Sequence, residues 1–132
     1  MSTHCWSVRV YYEDTDASGV AYHANYLRWF ERARTEWLRS KGFGQRSLAE
    51  NEDAAFTVSQ LNLRYRQPAR LDDLLSIETR ITRRRGASLD FAQRALCGER
   101  LLCEAEVRVA CVNSVSFKPQ SLPVSFPKDE PS

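Results

Sequence analysis

The spacing of apolar positions changes early in the chain. Trp6, Val8, Val10 and Tyr12 alternate with Cys5, Ser7, Arg9 and Tyr11, a period of two that predicts a β-strand. From Asn25 the step lengthens: Tyr26, Phe30, Ala33 and Trp37 recur at three- and four-residue intervals, with Arg28, Glu31, Arg32, Glu36 and Arg39 mostly on the other face. That pattern predicts an amphipathic helix of about 15 residues, roughly 22 Å long. Asn25 fits its N-cap, and Lys41-Gly42 supplies a basic last turn and a left-handed stop. Residues 43–55 are polar and read as a loop, with Ser47-Leu-Ala-Glu50 matching a capping box for one short helical turn.

Alternation then returns in four consecutive runs, carried by Leu61, Leu63 and Tyr65, by Leu75 to Ile81, by Leu89 to Ala95, and by Leu101 to Cys111. Breaks fall at residues 68–73, at Arg85-Gly86 and at Gly98-Glu99, the last with Gly where a two-residue type II′ hairpin requires it. The last three strands should form an antiparallel meander. One strand, one long helix and four long strands predict an α+β fold in which a curved five-stranded antiparallel sheet wraps the helix. The helix covers only one side of the sheet and leaves a strand edge open, which dimerisation would close.

Size and composition narrow the function classes. A chain of 132 residues fits one domain, 1–132, with its core at about 5–113 and an extended tail over 114–132 that holds four of the five prolines. The net charge of +2 names neither a nucleic-acid nor a membrane partner. No apolar run approaches the ~20 residues that cross a bilayer. The four cysteines form no CxxC pair and have no His at zinc-ligand spacing, so no metal is expected. With no secretory h-region ahead of them, they read as reduced thiols of a cytoplasmic protein.

The candidate chemistry sits between the first strand and the helix. Glu13, Asp14 and Asp16 fall within four positions where the strand ends. Such acids can simply hold a solvated turn through backbone hydrogen bonds. Asp16, however, comes just before Ala17-Ser18-Gly19 and the helix start, where free N–H groups and the positive dipole end can polarise a carbonyl. A carboxylate beside an oxyanion site is the minimum equipment for acyl transfer. On an extended chain Glu13 and Asp14 point to opposite sides, and Asp14 shares the parity of Asp16.

The stretch "YYEDTDASGVAYHANYLRWFERARTEWLRSKG" at 11–42 resembles the opening of the hot-dog-fold acyl-CoA thioesterases, in the YbgC-like branch related to 4-hydroxybenzoyl-CoA thioesterase. "LRYRQPARLDDLL" resembles that family's Tyr-x-x-Pro-Ala segment and "FAQRAL" its Phe-x-Gln strand, so the likeness covers about residues 6–113. The resemblance implies that Asp16 is the catalytic carboxylate, as nucleophile or as general base on water. It implies that the backbone N–H of His23 polarises the thioester oxygen; the His23 side chain is then a wall residue, a second donor or a base. Gly19 belongs to the Thr-Asp-x-x-Gly spacing and is a substrate-binding candidate; Tyr22 and Tyr26 read as core aromatics or walls of the acyl pocket, Tyr26 assigned to the core by its place on the apolar helix stripe and Tyr22, ahead of the cap, to the pocket. The resemblance also makes Arg84 and Arg85, in "TRRRGAS", contacts for the coenzyme A phosphates, although a charge run of this kind is more commonly a solvated turn.

No cofactor is implied. Substrates would be acyl-CoA, with acyl carrier protein as an alternative thiol carrier, and relatives are associated with the Tol-Pal cell-envelope system. A homodimer or homotetramer is expected, with no nucleic acid and no membrane insertion. A non-catalytic acyl-CoA-binding hot-dog module is the competing class, and retention of Asp16 argues against it. Serine-hydrolase and P-loop readings lack their motifs.

Overall fold

The structure, a computed structural model, describes residues 3–123. Strand β1 (His4–Arg9) leads through a short 3-10 turn (Tyr12–Asp14) to helix α1 (Asn25–Ser40) and helix α2 (Gln45–Glu52). Strands β2 (Ala54–Tyr65), β3 (Leu74–Arg84), β4 (Ser88–Cys97) and β5 (Arg100–Asn113) follow. All pairings are antiparallel, in the order β1-β3-β4-β5-β2. The meander of β3, β4 and β5 and the helix-wrapping sheet are those expected, and the arrangement is the hot-dog fold.

The helix ends where its sequence says it should. Gly42 adopts φ +88°, a left-handed stop that any Cβ would strain, and its N–H donates to the Arg39 carbonyl at 3.0 Å. Leu96 pairs with Leu101 and Cys97 with Arg100, leaving Gly98-Glu99 as the two-residue turn with Gly98 at φ +60°.

Tyr26, Trp29, Phe30, Ala33 and Trp37 turn one stripe of α1 into the core, opposite the buried Leu75, Ile77, Ile81, Leu89 and Phe91 of the sheet. Trp37 meets Phe91 edge to face at 5.7 Å between ring centres. Each large side chain so buried contributes on the order of 1.5–3 kcal/mol. Amid this apolar layer Gln93 is buried, and its amide is fully engaged. Its Nε2 donates to the Phe30 carbonyl and to Thr79 Oγ1, both at 2.9 Å, and its Oε1 accepts from Arg34 Nη1 at 2.9 Å.

Helix α1 packs on β1 and β3 and the short α2 on β2, while the Tyr26 ring of α1 meets that of Tyr65 at the end of β2 edge to face at 5.5 Å. Along β2 a bulge skips Ser59, so that Val58 pairs with Val109 and Gln60 with Arg108. The extra residue puts Phe56, Val58, Leu61, Leu63 and Tyr65 on one face; without it Leu61 to Tyr65 would turn to the outer face. Val58, Leu61 and Tyr65 nevertheless stay 46%, 42% and 49% exposed, because among the described residues no further strand pairs with this edge.

Three local expectations are corrected. β1 ends at Arg9 rather than Tyr12, because Tyr12–Asp14 winds into the 3-10 turn. Helix α2 begins at Gln45 with Gly44 at the N-cap position, so Ser47 falls inside the helix rather than at its start. Past Asn113 the chain turns back instead of running free: Asn113 Oδ1 accepts the N–H groups of Val115 and Ser116, Val112 bridges Pro119, and Leu122 is buried with its N–H on Gly86. The remainder of the expected tail, residues 124–132, lies outside the described residues. Among the described residues no helix is long and apolar enough to cross a membrane.

Candidate active site

Between the 3-10 turn and α1 the chain doubles back on itself. Asp16 N–H donates to the Val20 carbonyl at 2.9 Å, Gly19 N–H returns to the Asp16 carbonyl at 3.0 Å, and Thr15 bridges Ala21. Closing so tight a loop needs a residue of positive φ, which Gly19 supplies at +80°. Ser18 N–H donates to Asp16 Oδ1 at 2.8 Å and fixes the carboxylate, while Oδ2 has no protein partner among the described residues.

The far side of this loop is anchored to the sheet. Ala21 N–H donates to the Ala69 carbonyl at 2.8 Å, and Val20 bridges Arg70, so the loop rides on the β2–β3 connection. Tyr26 is buried and its hydroxyl accepts the Ala69 N–H at 3.1 Å, which ties the first turn of α1 to the same connection. Burial pushes the Tyr26 phenol up, so it stays a neutral hydroxyl at this join.

At the start of α1 the expected cap is replaced by another device. Asn25 is the first helical residue, buried, and its side chain does not cap the helix; its Nδ2 donates instead to the Asp14 carbonyl and to Asp14 Oδ1, each at 3.1 Å. Asp14 Oδ2 accepts the Tyr11 N–H at 2.8 Å, so both oxygens of Asp14 hold the loop. Glu13 borders a separate depression beside Arg28 and Arg32. Of the three acids, Asp16 alone combines a fixed carboxylate with an uncommitted oxygen in the Asp16–Val20 hairpin that leads into α1.

His23 follows three positions after the Val20 pin. Its carbonyl accepts the Tyr65 hydroxyl at 2.8 Å, which fixes the peptide before the helix. The N–H groups of His23 and Ala24 have no protein acceptor among the described residues. They lie at the positive end of a 16-residue helix, a ready site for a negatively charged oxygen. The His23 ring is exposed and lies 4.6 Å from the exposed Tyr22 ring and 6.5 Å, edge to face, from that of Tyr65. Tyr65 was not among the residues singled out for the site; the only signal was its place in the Tyr-x-x-Pro-Ala run. Burial, then neighbouring Cys103, push its phenol up and keep it a donor.

Asp16, Gly19, Tyr22 and His23 therefore come together at one end of the sheet. Arg84 and Arg85 do not join them within one chain. The loop carrying Asp16 meets residues 69–73, next to the Leu74 end of β3, whereas Arg84 closes the other end, ten residues or ~33 Å away along the strand. Arg85 Nη1 lies 2.7 Å from Asp90 Oδ2, and Arg108 Nε donates to Asp90 Oδ1 at 2.9 Å. Burial works to raise the Asp90 carboxyl, but the two guanidiniums outweigh it and hold the group below the usual carboxylate range. Among the described residues no group of His, Cys, Asp and Glu could hold a metal.

A cavity of about 240 Å³ opens between α1 and the uncovered edge, lined by Glu31, Arg34, Phe56, Val58, Leu89 and Phe91 among others. A larger groove of about 610 Å³ crosses the outer face of the sheet, where Glu78, Arg94, Glu104 and Arg64 stand side by side on successive strands with alternating charge.

The model of the Thioesterase superfamily matches residues 18–104. The chain is 54% identical over 122 residues to the acyl-CoA thioester hydrolase YbgC of Escherichia coli O6:H1, covering 92% of this chain and 90% of that one. It is 50% identical over 122 residues to the acyl-CoA thioesterase YbgC of Haemophilus influenzae, covering 92% and 87%. Among solved structures, a probable thioesterase from Bartonella henselae superposes with a TM-score of 0.89 at 42% identity, covering 92% of this chain and all of that one.

Proposed function

Because the chain belongs to the thioesterase superfamily, we propose that it hydrolyses acyl-CoA thioesters to the free acid and coenzyme A, with Asp16 as the catalytic carboxylate. The observation that carries this reading is the pairing of a fixed carboxylate, its Oδ1 on Ser18 N–H, with the unspent amides of His23 and Ala24 at the head of α1.

A thioester carbonyl placed between these groups has its oxygen on the His23 N–H, where the charge of a tetrahedral intermediate is stabilised by amides that need no reorganisation. Asp16 Oδ2 supplies the attack, either on the carbonyl carbon itself or by drawing a proton from water. Label found in Asp16 after single-turnover hydrolysis in 18O-water marks the covalent route, since water enters the side chain only by opening an acyl–Asp16 anhydride. Collapse expels the thiolate, a leaving group that departs without strong general-acid help; on the covalent route water then cleaves the acyl–Asp16 anhydride, releasing the free acid and restoring the carboxylate. Gly19 keeps the loop closed around the acyl carbon, Tyr22 walls the entrance, and the exposed His23 ring stands over it.

The same reading takes the chain as a homodimer joined along β2, the edge that exposes Val58, Leu61 and Tyr65. Tyr65 marks the Asp16 end of β2 and Ala54 the other end. Two-fold antiparallel pairing therefore lays the Ala54–Val58 end of one protomer beside the Asp16 loop of its partner, and brings the Arg84 and Arg85 hairpin within reach of a coenzyme A bound there. A reduced, cytoplasmic setting accords with the four free cysteines. The test is release of free thiol from a panel of short, long and aromatic acyl-CoAs, with sedimentation of the same sample. Hydrolysis by a dimer or tetramer is expected; no thiol release from any ester would remove the reading.

A further inference from the structure

Arg34 is the group in the cavity beside β2 that the mechanism above leaves unused. It lies on α1 ten residues, or ~15 Å, beyond Ala24, too far along the helix to serve the Asp16 loop of its own chain. In the two-fold arrangement the cavity instead faces the partner's loop, so it is where the acyl chain of a thioester held there would run.

A hydrogen bond from the core holds the guanidinium at this cavity. Gln93 is buried and its Nε2 is committed to the Phe30 carbonyl and Thr79 Oγ1, which can only be satisfied with Oε1 facing Arg34. Arg34 Nη1 donates to that oxygen at 2.9 Å, and no other acceptor holds its remaining N–H groups among the described residues. Burial lowers the basicity of Arg34 and neighbouring Glu31 restores part of it. Glu31 also lines the cavity and accepts the Thr35 hydroxyl at 2.7 Å, so the lining carries one positive and one negative group among apolar walls.

We propose that Arg34, held by Gln93, is a specificity-determining residue at the end of the acyl pocket. It favours acyl groups that end in an uncharged oxygen function, a hydroxyl or oxo group, over saturated chains of equal length. This rests on the thioesterase reading and on the shared pocket. A methyl group pressed onto the guanidinium would strip water from N–H donors without replacing it, whereas an oxygen there accepts from Arg34 and, as a hydroxyl, can donate to Glu31. The offsetting charge of Glu31 is why the terminal group is neutral rather than a carboxylate.

The experiment compares kcat/KM for matched pairs, an ω-hydroxyacyl-CoA and the acyl-CoA bearing methyl in place of the hydroxyl, over a series of short to medium chains. Since each ratio is taken on one enzyme sample, loss of folded protein cancels. The wild type is expected to prefer the hydroxyl ester by about ten-fold or more at the length that reaches Arg34. Arg34→Met should abolish or reverse the preference, and Arg34→Lys should keep part of it. Equal ratios in wild type and Arg34→Met, with both esters hydrolysed, would overturn the inference and leave the thioesterase reading standing. So would a wild-type preference for a carboxyl-terminated ester over the hydroxyl one. No hydrolysis of any ester would remove both.

Discussion

Asn25 and Asp14 lock the Asp16 loop to the first turn of helix α1: one side-chain amide donates to both the carbonyl and the carboxylate of Asp14 at 3.1 Å. Asp16 is two residues away on the same loop. Asn25→Ala is expected to cost about 1.5–3 kcal/mol of stability, the range for a hydrogen bond to a charged group, and to lower kcat/KM for thioesters as well. Urea unfolding and thiol release on the same protein check both. Unchanged activity would show that Asp16 is positioned without this tie.

Gln93 joins Arg34, the Phe30 carbonyl and Thr79 inside the core. Gln93→Leu keeps the volume but removes the partner of the Arg34 guanidinium and the Thr79 hydroxyl and a second donor to the Phe30 carbonyl, at an expected cost of about 2–4 kcal/mol. Thr79→Val removes one acceptor and should cost about 1 kcal/mol. Equilibrium unfolding of the two variants checks the order; a near-neutral Gln93→Leu would mean that water replaces the network.

Cys103 is buried, and burial, followed by the charge of Glu104, pushes its thiol up to about 12. Burial raises Cys111 too. Both are therefore neutral and shielded near neutral pH, whereas Cys5 is exposed. Alkylation of native protein followed by mass mapping should mark Cys5 first and reach Cys103 and Cys111 only on unfolding. Early labelling of Cys103 would contradict its placement between β2 and β4.

The Asp90 carboxyl is held below its ordinary range by Arg108 and Arg85. A group whose folded pKa is depressed favours folding above its unfolded value, and that contribution is lost as pH falls through the folded pKa. Stability should therefore decline through and below the usual carboxylate range. Asp90→Asn should lower stability near neutrality and flatten that part of the acid limb. Urea midpoints from about pH 7 down to about pH 3 test this, and identical pH slopes for wild type and variant would contradict it.

Where the chain's own periodicity dictates structure, the sequence was a good guide. The stripe from Tyr26 to Trp37, the stop at Gly42, the Gly98-Glu99 turn and strands β3 to β5 lie where the pattern puts them, whereas β2 begins at Ala54, seven residues ahead of the expected run from Leu61. Asp16 was legible as a candidate because its neighbours in sequence are its neighbours in space. Features set by distant partners were not. Asn25 looks like a cap in sequence, and only the return of Asp14 to its side turns it into a tether. The link from Arg34 to Gln93 spans 59 residues, and the bulge at Ser59 shows only once β2 is laid against β5. The fold-back after Asn113 was hidden by a proline-rich composition that reads as a loose tail, although Asn113 itself holds the turn with its side chain.

The central claim is that Asp16 does the chemistry. It is tested most directly by thiol release from acyl-CoA with wild type, Asp16→Asn and Glu13→Gln side by side, each confirmed folded. Asp16→Asn keeps an oxygen for the Ser18 N–H but loses the carboxylate, so kcat should fall by roughly 10²–10⁴-fold while the fold and Glu13→Gln activity persist. Wild-type rates in a folded Asp16→Asn variant would contradict the account.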